Sequence, residues 1–114
     1  PNMTLNRIEC GITNYGFKNQ IIIGGGNGFD SSGFNNNATK TIEVYDIHKN
    51  NWYSNMIPET ESWHQINPYL SISYNTLNII GCWLTTSDPL LWGSIESYDL
   101  RSNESKWNVI TSLG

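Results

Sequence analysis

Basic residues are scarce in this chain: six Lys and Arg stand against ten Asp and Glu in 114 residues, a formal net charge of −4. They form no cluster, so the phosphates of nucleic acid or of an anionic membrane find no matching patch, and neither is expected as a partner. Long apolar runs are also missing. No stretch approaches the roughly 20 residues needed to span a bilayer, and the opening Pro-Asn-Met-Thr lacks the regions of a signal peptide. Three Asn-x-Ser/Thr sequons, at Asn2, Asn37 and Asn103, are what 16 Asn and 21 Ser or Thr generate by chance, and they carry no sign of secretion. The expected compartment is the cytoplasm.

Thiols and imidazoles are few. Cys10 and Cys82 lie 72 residues apart. They pair only if the fold brings their Cα atoms within about 7 Å; buried free thiols in a reducing compartment are the favoured reading. Without a Cys-x-x-Cys pair the usual zinc signature is absent. His48 sits in a polar turn and reads as solvated. His64 follows Trp63 without a partner at ligand spacing, and a ligand role for it stays open.

What the chain does have is aromatic surface and asparagine. A hydrophobic content of 38% is lean, but five Trp, six Tyr and three Phe can each bury roughly 150 to 250 Å². Asn35-Asn36-Asn37 has no apolar face to bury and reads as a solvated loop. No segment shows helical periodicity, and Gly, Asn and Asp fall where short strands should end. The chain reads as all-β.

It also repeats itself. Ile21-Ile22-Ile23-Gly24-Gly25, Thr41-Ile42-Glu43-Val44-Tyr45-Asp46 and Trp52 return as Leu77-Asn78-Ile79-Ile80-Gly81, Ser94-Ile95-Glu96-Ser97-Tyr98-Asp99 and Trp107. Gly24 to Gly81 is 57 residues, Tyr45 to Tyr98 is 53 and Trp52 to Trp107 is 55. Landmarks in one order at a period of about 50 indicate propeller blades. On this alignment Cys82 stands where the second glycine of the pair should be, and the Tyr98 to Trp107 interval is two residues longer than its counterpart. The first departure affects a close backbone approach, the second only a turn.

An apolar run ending in paired glycines, a Tyr-Asp strand end and a following Trp resemble the kelch repeat, and the resemblance covers most of the chain. It implies two four-stranded antiparallel kelch-type blades, residues 7–55 and 66–110 with an interblade loop at 56–65, as part of a six-bladed β-propeller. Gly24, Gly25, Tyr45, Trp52, Gly81, Tyr98 and Trp107 are then architecture common to every blade. Two blades cannot close a ring, since propellers contain about four to eight. The remaining blades, or self-association of the chain, are needed to complete it.

No catalytic constellation emerges, and no cofactor or metal is expected. Gly24-Gly25-Gly26-Asn27-Gly28 lacks the Gly-Lys-Ser/Thr ending and the following helix of a phosphate loop. Asp30 with its neighbours lacks the spacing of a calcium loop. The expected function is therefore a non-catalytic protein–protein interaction module. By the resemblance, loops 26–40, 56–65 and 82–93 emerge on one face that receives a protein or peptide, as in the substrate receptors of ubiquitin-ligase adaptors. Asn27, Phe29, Asp30, Phe34, Trp63, His64, Trp83, Asp88 and Trp92 are the candidate contact residues. Arg7 joins them because kelch adaptors that read acidic peptides place an arginine here, facing the central opening. Its alternative is a strand-end arginine paired with a carboxylate. Two other readings are an enzyme whose catalytic residues lie in further blades, and blades that only complete the ring.

Overall fold

The computed structural model describes residues 6–29, 36–62, 64, 68–81 and 94–112. Among them the chain is all-β, with a single 3-10 turn at Gly16–Lys18 as its helical content. No helix of the described residues is long and apolar enough to cross a membrane.

Two four-stranded antiparallel sheets dominate. The first is formed by β2 (Gly11–Tyr15), β3 (Gln20–Gly24), β6 (Ile42–Asp46) and β7 (Asn51–Tyr53), in the order β2-β3-β6-β7. The second is formed by β8 (Tyr69–Ser73), β9 (Thr76–Gly81), β10 (Ser94–Asp99) and β11 (Asn108–Ser112), adjacent in chain order. Its first hairpin turns through Tyr74 and Asn75, both at positive φ, the backbone that a two-residue turn between twisted strands requires.

A small third sheet adds to this plan. β1 (Asn6–Ile8), β4 (Asn27–Phe29) and β5 (Asn36–Ala38) pair in the order β1-β4-β5. The segment 26–40, expected as a loop, thus carries two strands, and the strand expected from Ile8 to Tyr15 is divided. Glu9 at φ 56 turns the chain between β1 and β2, so each half pairs with a different sheet.

Alternation along the strands decides which residues enter the core. Tyr15, Ile22, Ile42 and Val44 leave the first sheet on one face; Leu70, Leu77, Ile79 and Tyr98 leave the second on the face that meets it. Trp107, and Ile57 from the connection, complete the cluster. Burying each large aliphatic side chain contributes about 1.5–3 kcal/mol. The sheets approach closely because Gly11 lacks a side chain: a Cβ there would lie 2.3 Å from Leu70 Cδ1 and 2.6 Å from the Pro68 carbonyl oxygen.

Pairing registers superimpose one sheet on the other. The row Ile12, Ile23, Glu43 corresponds to Leu70, Ile79, Glu96, and Tyr45 opposite Trp52 corresponds to Tyr98 beside Trp107. The latter rings lie 5.0 and 5.6 Å apart, so the two extra residues before Trp107 are absorbed in the turn. One sequence alignment is corrected. Ile80 faces Ile95 as Gly24 faces Ile42, which matches Gly81 with Gly25 rather than with Gly24. Both glycines have positive φ, +68 and +93, and it is the first glycine of the pair that the second sheet lacks.

Superposition also reveals how the sheets stack. The face of the second sheet that enters the core carries Leu70, Leu77, Ile79 and Tyr98; the corresponding residues of the first sheet, Ile12, Ile21, Ile23 and Tyr45, lie on its opposite face. The packing is head to tail, the front of one repeat against the back of the other.

Candidate functional site

Two buried ion pairs occupy corresponding places in the two sheets. In the first, Arg7 at the centre of β1 donates from Nη2 to Glu43 Oε2 at 2.5 Å and to Thr41 Oγ1 at 2.9 Å. Its Nη1 donates to the carbonyl oxygens of Gly25 at 3.1 Å and Thr41 at 3.0 Å. Nε is buried with no hydrogen-bond partner among the described residues. In the second, His64 Nε2 lies 2.5 Å from Glu96 Oε2, and Nδ1 contacts the Gly81 carbonyl oxygen.

The correspondence extends to each bond. Glu43 matches Glu96, Gly25 matches Gly81, and Arg7 matches His64: a basic side chain joins the third-strand carboxylate to the carbonyl of the positive-φ glycine that ends the second strand. Both ring nitrogens of His64 face acceptors, which only a ring carrying both N–H groups satisfies. All four charged side chains are buried. Such pairs are held by their full set of hydrogen bonds, and removing one member leaves an uncompensated charge.

These pairs also tie down the segments around them. Glu96 accepts the backbone N–H of Glu61 at 2.7 Å and of Ser62 at 3.1 Å. The His64 carbonyl accepts the Gly26 N–H at 2.7 Å, joining the connection between the sheets to the glycine run. The Lys40 carbonyl accepts the Thr60 N–H at 3.0 Å, and Trp107 Nε1 donates to the Pro58 carbonyl at 2.8 Å. One end of both sheets is thereby closed by cross-linked backbone. At the opposite end corresponding bonds again recur: the carbonyls of Asn19 and Asn75 accept the N–H of Ile47 and Leu100. There a cleft between the sheets is lined by Tyr15, Lys18, Gln20, Met56 and Tyr98.

Of the candidate contact residues, Arg7, Asn27 and His64 are buried in the anchored end. The structure thus gives Arg7 the carboxylate-paired arrangement. Phe29 closes β4, its backbone in register with Asn6 and Asn36. Asp30, Phe34, Trp63, Trp83, Asp88 and Trp92 lie outside the described residues. So does Cys82, whereas Cys10 is a half-buried free thiol. Among the described residues no group of three or more His, Cys, Asp or Glu is placed to hold a metal ion.

Glu43 and Glu96 are what sequence reasoning passed over. They stood in the repeated segments, 53 residues apart, but a repeated carboxylate announces a buried pair only once its basic partner is found. Arg7 and His64 share the 57-residue spacing of Gly24 and Gly81, which was the available signal; the change of residue type hid it. The chain matches no protein-family model and no curated protein.

Proposed function

We propose that the chain comprises two kelch-type blades of a β-propeller and acts as a non-catalytic protein-binding module. Segments 26–40, 56–65 and 82–93 form the face that receives a protein or peptide. The observation that carries this reading is the anchoring of one end of both sheets by equivalent ion pairs. Arg7–Glu43 and His64–Glu96 hold the bases of the loops in fixed positions, and binding residues on loops are effective when a rigid scaffold positions them. The head-to-tail packing supports the blade assignment, because a repeat whose front meets the back of the next is the stacking that radial repetition uses.

In this reading Arg7, Glu43, His64 and Glu96 position the loops. Contact with the partner falls to Phe29, Phe34, Trp63, Trp83 and Trp92, since aromatic side chains bring large contact area at little rotamer cost. A photo-crosslinking amino acid placed at Phe34 should capture a defined protein from the source cells. The same group at Asn78, on the outward face of the second sheet, should not, and Phe29→Ala with Trp63→Ala and Trp92→Ala should abolish capture while the circular dichroism stays unchanged. Identical captures at both positions, or capture that survives the three alanines, would sink the proposal and leave the sheets a purely structural role.

A further inference from the structure

We infer that the open front face of the first sheet is a docking surface for another four-stranded sheet that carries glycines where β2 and β3 carry Gly11 and Gly24, and that a second copy of this chain does not fit it. The inference rests on the packing of the two sheets and is independent of what the loops bind.

The molecule contains the template for this interface. The front face of the second sheet presents Leu70, Leu77, Ile79, Tyr98 and Trp107, all buried against the back of the first. The first sheet presents Ile12, Ile21, Ile23, Tyr45 and Trp52 at the corresponding positions, with the same apolar and aromatic chemistry. There Ile12 is 62% exposed, and Ile47, which corresponds to the core-packed Leu100, is 48% exposed. Ile12, Ile21 and Ile47 line one shallow apolar depression with Thr13 and Asn14. What covers the corresponding face of the second sheet is known: a sheet back bearing Gly11, Gly24, Ile22, Ile42 and Val44.

The back of the second sheet is different. Where the first sheet has Gly11 and Gly24 it has Tyr69 and Ile80, 64% and 37% exposed. Where the first has Thr13, Ile22, Val44 and Tyr53, it has Ser71, Asn78, Ser97 and Asn108. At Gly11 even one methyl group would meet Leu70 and the Pro68 carbonyl at 2.3 and 2.6 Å, so a tyrosine at that place bars the approach. Asn78 and Ser97 would also be buried where the template supplies Ile22 and Val44. The second sheet ends the stack with a polar back, as terminal repeats do; the first leaves an apolar front that only a glycine-notched sheet fits.

The chain itself supplies the probe. Tyr69→Gly, Ile80→Gly, Asn78→Ile and Ser97→Val together rebuild the back of the second sheet in the image of the first. Sedimentation of the unaltered 114-residue chain is expected to give a single-chain mass of 12.9 kDa. The fourfold variant is expected to assemble head to tail, and adding Ile12→Lys should return it to single chains. Tyr69→Gly with Ile80→Gly alone alters only exposed positions and serves if the fourfold variant does not fold; it should raise the association constant at least about tenfold. A folded variant that stays single, or an unaltered chain that associates until Ile12→Lys is introduced, overturns the inference.

Discussion

The two sheets share strand order, register, a basic–carboxylate pair and a Tyr–Trp ring contact, yet Tyr98 and Trp107 are buried while Tyr45 and Trp52 are half exposed. The residues are the same; the neighbours are not. Burial at these positions is a property of the interface that one repeat forms with another, which is why repeat architectures derive stability from nearest-neighbour terms.

The ion pairs give the comparison its largest lever. Glu96→Ala strands His64 and two backbone N–H groups, and Glu43→Ala strands Arg7 in a buried site. Each should cost about 3–5 kcal/mol in urea unfolding. That is a large share of a stability of about 5–15 kcal/mol, and a loss under about 1 kcal/mol at either position would show that its pair is solvated.

Next come the tryptophans. Trp107→Ala should cost about 3–5 kcal/mol, as expected for a buried aromatic, and should also release the Pro58 carbonyl. Trp52→Ala should cost about half as much, because its ring already meets solvent. Equal losses in thermal unfolding would break the distinction between covered and open faces.

The glycines sharpen it further. Gly11→Ala drives a methyl group into Leu70 and the Pro68 carbonyl and should destabilise by about 1–3 kcal/mol. Gly16→Ala, whose nearest neighbour is Asn14 Nδ2 at 4.0 Å, should stay within about 0.5 kcal/mol of the unaltered chain. The smallest effect is expected of Tyr15→Phe, which deletes the hydroxyl bond to Asn75 Oδ1 across the two sheets. About 1 kcal/mol should be lost, with the Asn75 amide signal in NMR reporting the missing contact.

Much of the strand plan was legible because strand ends are written in local chemistry. Ser94–Asp99 is read directly from its alternation and its Tyr-Asp end, and Gln20 to Gly24 from an apolar run stopped by glycine. Where reading failed, pairing was non-local. β4 and β5 lie in a Gly- and Asn-rich stretch with little strand propensity of its own, and they form because β1 is adjacent to receive them. The glycine alignment slipped by one residue for the same reason: Gly24 and Gly25 are identical as letters, and only the strands opposite them tell them apart.

Within the site, Arg7 and His64 were each singled out as candidate contact residues, but for different reasons and not as counterparts. A cation several residues ahead of a strand has no marked partner in the sequence, and the carboxylates that complete the pairs come 36 and 32 residues later. Composition and periodicity determined that this chain is all-β, that it contains two like units, and which residues recur in each, because those properties depend on short-range alternation and turn chemistry. Only the tertiary structure decided which face of each unit is covered, which cation meets which carboxylate, and why Gly11 has no substitute, because these depend on the distance between elements that the chain brings together after the strands have formed.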